Sequence, residues 1–89
     1  MLTWELRATG RVQFVGFRSF ARTCALQCSV TGWVSNRSDG SVLIVASGER
    51  DRVEQFCGLL RSGNRFVDVR ELQIREQNET VEYDDFTIR

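Results

Sequence analysis

The sequence contains neither histidine nor lysine, and all twelve of its basic residues are arginine. Without histidine, the chain lacks the most common general base and metal-ligating side chain. Without lysine, it has no residue for Schiff-base chemistry or for a Walker-type phosphate loop. These two absences exclude many classes of enzyme, so any chemistry here must rely on other residue types.

Net charge and long apolar runs are also absent. Twelve acidic residues balance the twelve arginines, so there is no net positive field to hold a nucleic acid. No apolar run approaches the roughly 20 residues that span a bilayer, and no basic start followed by an apolar stretch marks a secretion signal. We therefore expect a cytoplasmic monomer that binds neither nucleic acid nor membrane.

Cysteine is scarce and odd in number, with Cys24, Cys28 and Cys57 as its three occurrences. An odd count does not make a disulfide framework, and without histidine these thiols lack the partners of a typical zinc site. We expect all three to be small buried apolar residues, with no metal site.

The length of 89 residues and the hydrophobic content of 42% suit one compact α+β domain over residues 1–89. A chain of this size buries only about 60 to 65% of its unfolded surface, which allows one core but no large internal cavity. The functional site is therefore predicted to lie on a surface loop.

Hydrophobic periodicity divides the chain into strands and helices. Alternation at spacing two predicts a first strand over residues 2–12, and apolar residues at spacings of three and four predict a helix over 17–28. Asp39-Gly40 is typical of a hairpin turn between strands at 32–37 and 42–46. A second helix follows Gly48 and ends at Gly63 and Asn64, and two further strands cover 66–75, with a bulge or bend, and 83–88.

The element order β-α-β-β-α-β predicts a ferredoxin-like sandwich, in which one antiparallel sheet carries two helices on one face. In such a unit the first and second strands run parallel with the third between them, so their carboxyl ends share one edge of the sheet. This brings the loop from Gln13 to Arg18 near Asn36. Because the loop leads into a helix, its N–H groups and the guanidinium of Arg18 are suited to bind an oxyanion, and we expect that anion to be phosphate.

The predicted phosphate-binding loop has no nucleophilic side chain paired with a base. Covalent catalysis is therefore not favoured. The remaining option is direct attack of water on phosphorus, with the protein supplying position and charge stabilisation. An acyl phosphate suits that chemistry, because its leaving carboxylate has a conjugate acid with a pKa near about 4 and needs little acid assistance. The amide of Asn36 is suited to hold the water, although an Asn beside a hairpin equally serves to cap a turn.

Two segments carry a resemblance to a known family. Residues 10–18, GRVQFVGFR, are similar to the acylphosphatase signature, and residues 32–42, GWVSNRSDGSV, resemble the second signature of that family. The resemblance continues to the closing YDDFTIR and so covers nearly the whole chain. It implies hydrolysis of acyl phosphates such as acetyl phosphate and 1,3-bisphosphoglycerate, without metal or cofactor, with Arg18 binding phosphate and Asn36 orienting the water. The implied phosphate loop consists of Gln13, Phe14, Val15, Gly16, Phe17 and Arg18.

One position of the loop departs from the family pattern, since Phe14 stands where the family usually has Gly. A Gly there allows a backbone angle or a close approach of phosphate that a side chain hinders. We expect Phe14→Gly to raise the turnover of a model acyl phosphate.

Two alternatives to an acylphosphatase remain at this point. The first is a regulatory module on the same fold that binds an anion without hydrolysing it, as Phe14 would permit. The second is an RNA-binding domain, because ferredoxin-like sheets can stack bases on exposed aromatic side chains. The zero net charge and the lack of the paired aromatic signature argue against RNA binding.

Overall fold

The computed structural model describes residues 1–89 and contains five strands and two helices. Every predicted strand and helix is present, with ends that differ from the predicted ones by a few residues at most. In chain order the elements are β1 (Leu2–Arg11), α1 (Phe17–Cys28), β2 (Thr31–Asn36), β3 (Val42–Gly48), α2 (Arg50–Ser62), β4 (Asp68–Glu76) and β5 (Phe86–Ile88).

The strands form one sheet in the order β4-β1-β3-β2-β5. As predicted, β3 lies between β1 and β2 and is antiparallel to both, so the fold is the ferredoxin-like sandwich. The sheet is nevertheless mixed rather than wholly antiparallel, because β5 adds a fifth strand that runs parallel to β2. The chain leaves β4 at one edge of the sheet and crosses to the opposite edge, where it enters β5 in the direction of β2.

Both helices cover one face of the sheet, and the core lies between them and the strands. Leu6 and Val34 pair with Ile44 from opposite sides, and all three side chains are fully buried. Phe17 and Phe56 bring the two helices onto this layer. Such buried aliphatic and aromatic side chains stabilise the domain by roughly 1.5–3 kcal/mol each. Neither helix is long and apolar enough to cross a membrane.

Two local features of the sheet qualify the predicted alternation. The predicted irregularity in β4 is a bulge: Gly10 pairs with Val69 and Thr9 with Glu71, so Arg70 is the extra residue. Thr3, which alternation along β1 places on the face opposite Leu2 and Trp4, is buried there because the chain between β4 and β5 covers it. The Val81 N–H donates a 2.9 Å hydrogen bond to Thr3 Oγ1, so the buried hydroxyl has a partner.

Candidate active site

The loop between β1 and α1 contains two residues with a left-handed backbone conformation and leads directly into the helix. Gly16 precedes the helix with φ 80°, and Phe14 has φ 62°. Phe17 is buried at the first helical position, and Val15 packs against the core. The second half of the loop is therefore anchored to the core. The loop backbone has a positive φ at two positions, which residues other than glycine rarely adopt.

The backbone N–H groups of this loop are unoccupied. None of residues 13 to 19 donates a backbone hydrogen bond within the protein, and no side chain caps the start of α1. The first intrahelical bond runs from the Phe20 N–H to the Gly16 carbonyl. Free N–H groups at the positive end of a helix dipole attract anions, so this turn is suited to bind an oxyanion.

A surface pocket of about 180 Å³ lies against this turn. It brings together four of the predicted loop residues, Phe14, Gly16, Phe17 and Arg18, with the predicted Asn36 at the end of β2. The guanidinium of Arg18 is exposed and makes no ion pair or hydrogen bond with the rest of the protein. The lining residues are Val12, Phe14, Gly16, Phe17, Arg18, Ser19, Asn36 and Ile88.

Asn36 presents an unpartnered acceptor. Its Oδ1 atom is buried and has no hydrogen-bond donor. A buried acceptor without a donor costs about 1–3 kcal/mol, and such atoms in native structures call for an explanation. The turn-capping role that the sequence left open belongs to another residue, since Asp39 Oδ1 accepts the Ser41 N–H at 2.9 Å. Asn36 thus lines the pocket without a hydrogen-bond donor to its Oδ1 from the protein.

Gln13 belongs to the predicted loop, but its side chain does not line the pocket. Its Nε2 donates to the Arg37 carbonyl at 2.7 Å and to the Ser41 carbonyl at 2.8 Å. These bonds tie the loop to both ends of the turn between β2 and β3, where Arg37 directly follows Asn36 and Ser41 directly precedes Val42. Gln13 therefore sets the distance between the loop and the hairpin.

Asp39 stabilises the same hairpin from the turn. The Ser41 hydroxyl donates to Asp39 Oδ1 at 2.6 Å, and Arg7 Nη1 lies 2.8 Å from Asp39 Oδ2. The hydrogen bonds from Ser41, followed by the charge of Arg7, lower the pKa of the Asp39 carboxyl. The carboxylate form thus holds the turn in place over the physiological pH range.

The acylphosphatase family profile matches residues 4–88 of this chain. The chain belongs to the acylphosphatase family. The acylphosphatase of Bacillus velezensis is 41% identical over 88 residues, which are 99% of this chain and 98% of that protein. The acylphosphatase of Lactiplantibacillus plantarum is 46% identical over 84 residues, 93% of this chain and 92% of that protein.

Solved structures agree with the family assignment. The crystal structure of acylphosphatase from Bacillus subtilis matches with a TM-score of 0.95 and 34% identity, covering 100% of this chain and 99% of that one. Family and fold together support acyl phosphate hydrolase activity, and the chain is an enzyme of this class.

The cysteines of this acylphosphatase lie outside the pocket lining, and all three are buried, as predicted. Burial raises the pKa of the Cys57 thiol to about 11. Burial also raises the pKa values of Cys24 and Cys28, with the neighbouring Cys28 adding to the effect on Cys24. Because the thiolate is the nucleophilic form, the raised pKa values and burial lower the reactivity of these thiols.

Sequence reasoning missed three residues that line the acylphosphatase pocket: Val12, Ser19 and Ile88. Ser19 directly follows Arg18 in the first turn of α1, so its position near the pocket was predictable from the sequence. Ile88 was not, because it reaches the pocket only through the parallel pairing of β5 with β2, which places it opposite Val34.

Proposed function

We propose that this enzyme cleaves the carboxyl–phosphate bond of small acyl phosphates by direct attack of water on phosphorus. Water adds its oxygen to phosphorus as the bond to the carboxylate oxygen breaks. One acyl phosphate and one water give one carboxylate and one dihydrogen phosphate.

The phosphate is held by the loop N–H groups and by Arg18. The loop from Gln13 to Phe17 and the first turn of α1 offer backbone donors that no group of the protein occupies. The planar guanidinium of Arg18 binds two phosphate oxygens at once, and it stays positively charged throughout the physiological pH range. In a largely dissociative transition state the charge spreads over these oxygens, and fixed donors stabilise it.

Asn36 orients the attacking water. Its side-chain amide lines the pocket and its Oδ1 has no donor within the protein, so the amide is available to hold a water molecule. The single observation that carries the proposal is that Arg18, whose guanidinium has no partner in the protein, and Asn36 line one pocket at the start of α1. A water fixed in line with the scissile bond converts a bimolecular encounter into an oriented reaction.

The leaving group needs no general acid. A carboxylate whose conjugate acid has a pKa near about 4 departs without protonation at neutral pH. The pocket accordingly contains no carboxyl, thiol or phenol side chain that donates or accepts a proton, and Arg18 is its one charged residue. This composition favours labile acyl phosphates over phosphate monoesters, whose alkoxide leaving groups require acid assistance.

Phosphate release from acetyl phosphate and benzoyl phosphate tests the assignment. We expect Arg18→Gln and Asn36→Ala each to lower kcat/KM by roughly 100- to 1000-fold, by analogy with the loss of one oxyanion-hole donor. Arg52→Gln and Asn78→Ala are matched controls, since both residues are exposed and outside the pocket. Inorganic phosphate should inhibit Asn36→Ala as strongly as the wild type and Arg18→Gln more weakly.

Isotope labelling tests the direction of attack. During hydrolysis in ¹⁸O-water the label should enter the phosphate product and not the carboxylate. Label in the carboxylate would show attack at the carbonyl carbon and contradict the proposed mechanism. Phosphate binding without any hydrolysis would instead favour an anion-binding module.

A further inference from the structure

We propose that Phe14 and Ile88 form an acyl subsite, which selects substrates whose acyl group is uncharged and apolar, with aromatic acyl groups preferred. This inference rests on the proposed function, because it takes the phosphate to be bound by the loop and Arg18. It adds the substrate class that the same pocket accepts.

Phe14 has an exposure that folding does not explain. Its side chain is 97% exposed although it stands in the left-handed region at φ 62°. That backbone conformation is unfavourable for a bulky residue, and a ring in solvent returns no burial energy to offset it. Strained residues of this kind cluster at ligand sites, and Phe14 lies on the rim of the pocket.

Ile88 provides a second apolar surface on the same pocket. It is 44% exposed, whereas Phe86, two residues earlier on the same face of β5, is fully buried in the core. Phe86 pairs with Gly32 at the start of β5, whereas Ile88 pairs with Val34 at the end of β5, on the pocket edge of the sheet. The side chain of Ile88 thus extends the apolar layer of the domain into the pocket mouth.

One part of the pocket is polar and the other part is apolar. Its polar part consists of Gly16, Arg18, Ser19 and Asn36, which suit a phosphate and a water. Its apolar part includes Val12 and Phe17, which are 1% exposed, so only Phe14 and Ile88 offer apolar area to a ligand. A substrate held by its phosphate therefore directs its acyl group toward these two side chains.

Charge selects against other acyl groups. No acidic residue and no second basic residue lines the pocket, so a charged acyl group finds no ion-pair partner there. An aromatic acyl group can instead pack on the Phe14 ring, an interaction worth about three- to tenfold in affinity beyond the area buried. An acetyl group is too small to reach both side chains to the same extent.

The test compares kcat/KM for benzoyl phosphate and acetyl phosphate across variants, so that the intrinsic reactivities of the two substrates cancel. We expect Phe14→Ala to lower the benzoyl-to-acetyl ratio by about three- to tenfold and Ile88→Ala to lower it by about two- to threefold. Phe66→Ala is the matched control, because Phe66 is 59% exposed and lies outside both the pocket and the core.

Inhibition by inorganic phosphate separates the subsite from the phosphate loop. We expect the inhibition constant to be the same in the wild type and Phe14→Ala. A ratio that stays unchanged in both Phe14→Ala and Ile88→Ala would overturn the acyl subsite, as would a parallel loss on both substrates with weaker phosphate inhibition. A wild-type enzyme that hydrolyses neither substrate would overturn the proposed function itself.

Discussion

Replacing Gln13 by alanine removes the side chain that connects the phosphate loop to the β2–β3 hairpin. Two hydrogen bonds are lost, from Gln13 Nε2 to the carbonyls of Arg37 and Ser41. Each carbonyl keeps another donor, since the Gly40 N–H bonds to the Arg37 carbonyl and the Arg37 N–H bonds to the Ser41 carbonyl. No acceptor is left unsatisfied, so the loss stays near the net value of the two bonds.

At about 0.5–1.5 kcal/mol for each bond, Gln13→Ala should lower the free energy of unfolding by about 1–3 kcal/mol. For a domain of this size that corresponds to a fall in melting temperature of roughly 4 to 24 °C. Gln13→Glu should be more destabilising at neutral pH, because an ionised carboxylate has no donor and would face two carbonyl oxygens. Its deficit relative to alanine should shrink as the pH falls below about 4 and the carboxyl becomes protonated.

Thermal melting and turnover of acetyl phosphate measure the two consequences. Because Asn36 directly precedes Arg37, we expect kcat of Gln13→Ala to fall by roughly tenfold or more through misplacement of the bound water. Gln27→Ala is the matched control, since Gln27 is an exposed residue of α1 that makes no side-chain hydrogen bond. Equal stability of Gln13→Glu and Gln13→Ala at neutral pH would refute the assigned hydrogen bonds.

Four further outcomes are expected. Phe14→Gly should raise the free energy of unfolding by about 0.5–1 kcal/mol, because relief of the left-handed Phe outweighs the chain entropy that Gly adds to the unfolded state. Equal denaturation midpoints for the Phe14→Gly and Phe14→Ala variants would contradict this prediction. Gly32→Ala should lower the free energy of unfolding by about 2–4 kcal/mol, since a Cβ at Gly32 overlaps the backbone of the neighbouring strand. Gly48→Ala is the control, because a Cβ at Gly48 makes only ordinary contacts, and the melting temperatures of the two variants are compared. Burial raises the pKa of Cys57 from 9.0 to about 11, so its contribution to stability is full below pH 9 and is lost as the pH rises to about 11. Urea midpoints should therefore fall more steeply over that range in the wild type than in Cys57→Ala. Because Arg18 is the one charged residue of the pocket, kcat for acetyl phosphate should vary less than about threefold between roughly pH 6 and 8; a bell-shaped profile would reveal a proton-transfer group.

Much of the fold was predictable from local patterns. The alternation in β1, the stripe of apolar residues in α1 and the Asp39-Gly40 turn each lie within a few neighbouring positions, and each element is present in the structure. The phase change along β4 correctly indicated the bulge at Arg70. These features are local because side-chain direction alternates along strands and repeats along helices.

The candidate site was predictable in part for a topological reason. Parallel β1 and β2 with β3 between them bring the Gln13 to Arg18 loop to the edge where Asn36 ends its strand, and one pocket contains both Arg18 and Asn36. Other features depend on residues far apart in the chain. The side-chain direction of Gln13, the burial of Thr3 under Val81 and the unpartnered Oδ1 of Asn36 have no local signal.

By itself, the sequence determined the order of the elements, the phosphate loop and the family, because periodicity and two contiguous motifs carry that information. Only the tertiary structure determined which other residues surround the phosphate-binding loop in the pocket. Ile88 enters the pocket because the chain crosses the sheet and pairs β5 with β2, and Phe14 lies on the rim because its backbone is left-handed. Both placements follow from long-range pairing and a single backbone angle, which no pattern of neighbouring residues encodes.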